Sequence, residues 1–200
     1  GICFMPAVAS AGRSSNMALT YTPPGELGST CPEFVLTSVD GRRYSSKDFA
    51  HAGALVVMFI CNHCPYVKAV EDRLLALARD LGPRGAAFVA ICSNDPKDHA
   101  EHRPENLLAR WREKSYGFPY LIDDTQSVAR AFGAVCTPDL YVYDAAQRLV
   151  YRGRLDDSWR NPEQVQKQEL RQAILQVLGG QALTGEQIPS MGCSIKWRAA

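Results

Sequence analysis

The hydrophobic positions of this chain alternate between two kinds of pattern. Continuous apolar runs over residues 54–60 and 87–91 predict two buried strands, because each run is short and is bounded by turn residues. Between them, residues 65–81 place apolar side chains on one face at helical spacing. These side chains are Val67, Val70, Leu74, Leu77, Ala78 and Leu81. Gly82 and Pro83 end the predicted helix, so the pattern predicts a strand–helix–strand unit.

Shorter patterns extend this alternation in both directions. An Asp40-Gly41 turn predicts an N-terminal hairpin, and strand and helix patterns follow one another after the second buried strand. The predicted elements are strands over 34–38 and 43–44, a helix over 104–111, a strand over 120–123, a helix over 127–132, strands over 140–144 and 149–152, and a helix that begins at Pro162 and is closed by Gly179-Gly180. This order predicts an α/β fold with a mixed sheet and helices on both faces.

Composition limits the classes of partner. The chain has 200 residues, 46% of them hydrophobic and 22% charged, which is typical of one globular domain. Its formal net charge is +1, so we expect neither nucleic acid nor an anionic membrane as a partner. No apolar run approaches the roughly 18 residues that a transmembrane helix needs.

The two ends of the chain differ from its middle. Residues 1–16 are small and polar without a clear pattern, and we interpret them as a leader, an extension or a cloning remnant. We place the domain at residues 17–180. Residues 181–200 are interpreted as a C-terminal tail that carries Cys193.

The cysteine count bears on the cellular compartment. The seven cysteines are Cys3, Cys31, Cys61, Cys64, Cys92, Cys136 and Cys193. An odd number leaves at least one thiol unpaired, which argues against a secreted scaffold held by disulfides. We therefore expect a cytoplasmic protein, with a periplasmic location as the alternative if residues 1–16 are the remnant of a leader.

The motif Cys61-Asn62-His63-Cys64 lies between the first buried strand and its helix. Backbone N–H groups at the start of a helix favour negative charge, and this lowers the pKa of a thiol there. The motif therefore predicts thiol–disulfide chemistry. Two alternatives stay open: a structural pair of cysteines, and a zinc site. The candidates for the further zinc ligands are Cys92, His99 and His102.

The strand–C-x-x-C–helix unit and the later Thr137-Pro138 resemble the thioredoxin superfamily. The opening from Pro23 to Phe34 and the run C-x-x-C-P-Y-V, here Cys61 to Val67, narrow the resemblance to its redoxin branch. That branch includes peroxiredoxin-like proteins of the alkyl hydroperoxide reductase and thiol-specific antioxidant type. The resemblance covers about residues 25–180. It implies a thioredoxin-like α/β fold with a mixed central sheet, helices on both faces and an N-terminal hairpin extension.

The resemblance also implies roles for the motif residues. Cys61 is expected to attack a substrate disulfide and Cys64 to resolve the mixed disulfide. A cis proline, here Pro138, is expected to face the pair, and Thr137 to meet the substrate backbone. Asn62 and His63 replace the residues usual in thioredoxins, and His63 is expected to raise the reduction potential. The expected partners are a protein or small molecule that carries a disulfide, and a thiol electron donor; we expect no cofactor and no metal.

A peroxiredoxin-like thiol peroxidase with antioxidant activity is the alternative. Aligning the reactive cysteine of peroxiredoxins with Cys64 puts Cys61 in the place of their threonine and Val57 in the place of their proline. These two replacements disfavour peroxidase activity.

Cys136 and Cys193 are candidate auxiliary thiols. Cys136 is close to Pro138 in sequence, and Cys193 is a candidate for a second resolving thiol. Cys92 ends a strand and is interpreted as a core residue. Cys3 and Cys31 are interpreted as structural or incidental.

Overall fold

The architecture comes from a computed structural model, which describes residues 19–199. Four α-helices are found among them, namely α1 (Pro65–Leu81), α2 (Pro104–Glu113), α3 (Ser127–Phe132) and α4 (Glu169–Leu178). The strands are β1 (Leu19–Tyr21), β2 (Val35–Ser38), β3 (Arg43–Ser45), β4 (Ala54–Phe59), β5 (Ala86–Cys92), β6 (Tyr120–Ile122), β7 (Cys136–Thr137), β8 (Asp139–Tyr143), β9 (Leu149–Arg152) and β10 (Met191–Ser194). No helix among the described residues is long and apolar enough to cross a membrane.

Seven strands form the central sheet in the order β3-β2-β6-β5-β4-β8-β9. The β4–β5 and β5–β6 pairs are parallel, and the remaining pairs are antiparallel. The β2–β3 pair is the predicted N-terminal hairpin. A mixed sheet with an N-terminal hairpin is therefore confirmed.

Strand β4 is buried on both faces because helices cover both sides of the sheet. Its alternate residues divide between two apolar clusters, as the two-residue period of a strand requires. Ala54, Val56 and Met58 pack with α1, α2 and α4 on one face. Leu55, Val57 and Phe59 pack with α3 on the other. The uninterrupted apolar run that predicted a buried strand thus reflects two separate contact surfaces.

A second, three-stranded sheet in the order β1-β10-β7 was not predicted. Its two antiparallel pairs place Cys193 opposite Leu19 on one side and opposite Thr137 on the other. The backbones of β10 and β7 approach so closely at Gly192 that a Cβ there would collide with the carbonyl of Thr137. Residues 181–199 thus contribute a strand between two others.

The prediction that the last helix begins at Pro162 is wrong. A short 3₁₀ turn covers Pro162–Gln164, and α4 begins only at Glu169. The intervening backbone is held by Asp157, whose carboxylate accepts the N–H of Gln166 and whose own N–H donates to the carbonyl of Lys167. These hydrogen bonds replace the ones a continuous helix would form. The predictions for residues 1–16 and Cys3 fall outside the described residues.

Candidate redox site

The two motif cysteines lie where β4 ends and α1 begins. Cys64 is the N-cap residue of α1, and Pro65 occupies the first helical position, where its missing N–H costs nothing. Both cysteines are buried, with Cys61 3% and Cys64 1% exposed. Both are free thiols in this structure.

The Thr137–Pro138 peptide faces this pair and is cis. The Sγ of Cys61 lies 3.4 Å from the hydroxyl of Thr137. The sulfur of Cys64 lies 3.3 Å from the carbonyl oxygen of Thr137, to which its protonated form donates. On the far side, the hydroxyl of Ser190 donates to the carbonyl of Pro138 over 2.8 Å. One dipeptide therefore contacts both sulfurs and is itself anchored by the segment that leads into β10.

Strand β10 brings a third thiol to the pair. Cys193 is 3% exposed, and its thiol is in hydrogen-bonding contact with the sulfur of Cys64. Sequence reasoning singled out Cys193 but placed it in a tail. Its contact with Cys64 depends on the pairing of β10 with β7.

The hydrogen bonds around Cys64 favour its thiolate. The thiol of Cys61 is the largest contributor, and together with the Cys193 thiol and the backbone N–H groups of Val67 and Cys193 it lowers the pKa of Cys64 to about 5. The same interaction with Cys64, together with burial, raises the pKa of Cys61. The interactions within the reduced pair thus favour negative charge on Cys64 over negative charge on Cys61.

In Cys31, Cys92 and Cys136, burial outweighs any stabilisation of the thiolate by hydrogen bonds. Burial raises the pKa of Cys31 and Cys136 to about 12 and that of Cys92 to about 11. Cys136 pairs with Ser194 in the small sheet and is fully buried. Cys92 ends β5 within the core.

Asn62 joins the motif to the segment that precedes α2. Its side-chain amide donates to the carbonyls of Glu101 and Asn106, over 3.1 and 3.0 Å, and its oxygen accepts the hydroxyl of Tyr120. His63 is half-buried, and its Nδ1 lies 3.6 Å from the carboxylate of Glu101. Sequence reasoning gave Glu101 no role, because it lies in an exposed turn far from the motif along the chain.

A cavity of about 250 Å³ opens beside the cis proline. Apolar residues dominate its lining, among them Tyr66, Pro138, Leu155, Trp159 and Met191. The rings of Tyr66 and Trp159 pack with their centroids 4.6 Å apart. Arg73 fixes the loop that carries Trp159, since its guanidinium pairs with Asp156 and donates to the carbonyl of Trp159. Apolar surface is thus available next to Pro138, the residue whose peptide with Thr137 faces the pair.

Comparison with known proteins identifies related chains. Residues 27–152 match the model of the AhpC/TSA family. An uncharacterized conserved protein from Geobacillus kaustophilus is 44% identical, with a TM-score of 0.87, over 92% of this chain and 99% of that one. A hypothetical protein from Sinorhizobium meliloti 1021 is 41% identical, also with a TM-score of 0.87, over 90% of this chain and 100% of that one.

More distant neighbours share the fold. A thiol:disulfide interchange protein of the thioredoxin family from Chlorobium tepidum TLS is 20% identical, with a TM-score of 0.60, over 76% of this chain and 97% of that one. At that identity the likeness shows the fold alone, and it confirms the predicted thioredoxin-like architecture. No curated protein matches the chain.

Proposed function

The chain belongs to the AhpC/TSA family, whose members are in general thiol oxidoreductases, and we propose that this protein is a thiol–disulfide oxidoreductase with Cys61 and Cys64 as its redox pair. One observation carries the proposal: two thiols in mutual hydrogen-bonding contact at a helix N-terminus, both within 3.4 Å of Thr137. Such a pair can close a disulfide ring and open it again.

The proposed reaction uses the shared proton of the pair. Cys61 attacks a substrate disulfide while the thiolate of Cys64 takes its proton, which gives a mixed disulfide on Cys61, a Cys64 thiol and one substrate thiolate. Cys64 then attacks the sulfur of Cys61, and its proton leaves with the second substrate thiol. The substrate disulfide is reduced by two electrons, and Cys61 and Cys64 are oxidised to a disulfide. An external thiol donor returns the pair to its reduced form.

Substrate binding is assigned to the cavity beside Pro138. Its apolar lining suits the hydrophobic part of a protein or small molecule that carries a disulfide. Thr137 can meet the substrate backbone only on the side that β10 leaves free, since its other side pairs with Cys193.

Cys193 is proposed as an auxiliary thiol. Its hydrogen bond to Cys64 stabilises the thiolate. It can also attack the Cys61–Cys64 disulfide at Cys64, which forms a Cys64–Cys193 disulfide and frees Cys61. Mass mapping of the oxidised protein tests this step, and the absence of any disulfide on Cys193 would rule out the transfer.

His63 is proposed to raise the reduction potential. In the metal-free protein, positive charge on His63 would stabilise the reduced thiolate, and about 30 mV corresponds to roughly 1.4 kcal/mol of such stabilisation. The potentials of His63→Ala and the parent protein should be compared in glutathione buffers that contain a chelator, with His51→Ala as the matched control. Equal potentials in His63→Ala and the parent would contradict this role.

Stopped-flow oxidation of the reduced protein distinguishes the two candidate activities. We expect a disulfide substrate to react fast, and hydrogen peroxide to react no faster than it does with a free thiol, because Cys61 stands where peroxiredoxins carry threonine. Peroxide oxidation that is orders of magnitude faster would assign the protein as a thiol peroxidase instead.

A trapping experiment assigns the two sulfurs. The Cys64→Ser protein should accumulate a mixed disulfide on Cys61, because no resolving thiol remains beside it. Accumulation on Cys64 in the Cys61→Ser protein, without accumulation in Cys64→Ser, would reverse the assigned roles.

A further inference from the structure

Three metal-ligating side chains converge on the outer side of the motif. One ligand atom each from His63, His99 and Glu101 lies within 4.8 Å of the other two. The Nδ1 of His63 and the carboxylate oxygen of Glu101 are 3.6 Å apart. Tetrahedral zinc bonds of about 2.1 Å place two ligand atoms about 3.4 Å apart. The spacing of the His63–Glu101 pair is therefore close to that of two zinc ligands, and His99 lies within 4.8 Å of both.

The two segments that supply these ligands are held together by hydrogen bonds. His63 comes from the motif loop, whereas His99 and Glu101 belong to the turn that precedes α2. Asn62, next to His63, donates to the carbonyls of Glu101 and Asn106, over 3.1 and 3.0 Å. These bonds to the main chain fix the spacing of the two segments without using any ligand atom.

His102 is an independent sign of a ligand at this place. Its side chain is buried, with the residue 3% exposed, yet neither ring nitrogen has a hydrogen-bond partner within residues 19–199. An unpaired polar group in the interior costs free energy, so such groups normally have a partner. The His102 ring centroid lies 5.7 Å from that of His99 and 6.4 Å from that of His63. A hydrated ion held by these two histidines would put a water within reach of His102.

We propose that His63, His99 and Glu101 bind one divalent transition-metal ion of the zinc type. Two imidazoles and one carboxylate are ligands that such ions accept, and three protein ligands leave a position open to water. His102 is assigned to that water. The proposal departs from the sequence-based expectation of no metal, and its ligands differ from the zinc set considered there, since no cysteine takes part. It does not rest on the proposed exchange activity.

Zinc and cobalt titrations of the Cys61→Ser/Cys64→Ser protein test the site. Removing the motif thiols eliminates metal binding by thiolates, so we expect one equivalent of Zn²⁺ in calorimetry and a Co²⁺ visible spectrum without sulfur charge-transfer bands. In this background His63→Ala, His99→Ala and Glu101→Gln should each weaken binding at least about tenfold. His51→Ala is the matched control, because this exposed histidine precedes β4 at the opposite end of the strand from the motif, and it should bind as the background does.

Two results would overturn the site. One is no stoichiometric Zn²⁺ in the Cys61→Ser/Cys64→Ser protein, and the other is binding there that His99→Ala and Glu101→Gln both leave unchanged. Circular dichroism of each variant establishes that it is folded, and the use of two ligand variants keeps the test valid if one of them is not. Disulfide exchange in the parent protein is measured separately, so its failure would contradict the proposed function and leave the metal site standing.

Discussion

Cys64 and Cys136 are both cysteines, are equally buried and lie in adjoining parts of the molecule. Their pKa values nevertheless shift in opposite directions from that of an ordinary thiol. The pKa of Cys64 is lowered to about 5, whereas that of Cys136 is raised to about 12. Burial acts on both, because it removes the water that stabilises a thiolate. Only Cys64 has thiol and backbone N–H donors around its sulfur that outweigh this loss. Local hydrogen bonding, and not burial or residue type, therefore separates the acidic thiol of the redox pair from the structural one.

The largest expected effect is on turnover. Cys61→Ser and Cys64→Ser should each lower the rate of insulin disulfide reduction by about a thousandfold, since a single thiol loses the advantage of an intramolecular second attack. Cys136→Ser is the matched control and should retain most of the parent rate. A comparable loss of rate in Cys136→Ser would contradict the division into redox-active thiols (Cys61 and Cys64) and a structural thiol (Cys136).

The next largest effect is on the rates at which iodoacetamide alkylates Cys64 and Cys136. The reaction is run with a chelator present and is followed by mass spectrometry. At pH 7 the thiolate fraction of Cys64 exceeds that of Cys136 by about five orders of magnitude, and the lower nucleophilicity of an acidic thiolate reduces this advantage to about a hundredfold. The Cys64 rate should follow an ionisation midpoint near pH 5. A midpoint near 8.5, the value of an ordinary thiol, would contradict the stabilisation of its thiolate.

The lowered pKa of Cys64 should also make the free energy of unfolding of the reduced protein increase as the pH rises from 5 to 8.5. A lowered pKa stabilises the folded state fully above the unfolded value of about 8.5, and this contribution is lost as pH falls through about 5. The raised pKa of Cys61 acts in the opposite sense above about pH 8.5. Urea unfolding, again with a chelator, should show the free-energy difference between the parent and Cys64→Ser growing by about 4 kcal/mol from pH 5 to pH 8.5. A difference independent of pH would exclude this linkage.

The smallest effect concerns the third thiol. Cys193→Ala removes the thiol donor to Cys64 but keeps the backbone N–H, so the alkylation midpoint of Cys64 should rise by about one pH unit. Cys31→Ala, at a distant buried thiol, should leave that midpoint in place. An unchanged midpoint in Cys193→Ala would mean that the other donors suffice.

The parts of this molecule that sequence predicts are those determined by neighbouring residues. The apolar run of β4, the spacing along α1 and the position of the motif between them are local patterns, and the structure confirms them. The facing Thr137-Pro138 was predicted only through the resemblance to a family.

What sequence did not predict depends on distant pairs. Strand β10 has few apolar residues and a glycine, so it lacks the composition of a strand, and only its two neighbours show why it is one. The approach of Glu101 to His63 likewise results from hydrogen bonds between separate segments. The first of these pairings also adds to the lowering of the Cys64 pKa, because β10 carries the Cys193 thiol and backbone N–H that support the larger contribution of Cys61.

The small sheet also bears on the order in which the molecule assembles. Strands β4 and β5 and helix α1 are consecutive in the chain and can meet early, whereas β10 must pair with Leu19–Tyr21, which lie near the other end of the described residues. Contacts between such distant segments carry a large entropic cost of chain closure and form slowly. We therefore expect an interval during refolding in which Cys61 and Cys64 are already adjacent while Cys193 is still free to react elsewhere.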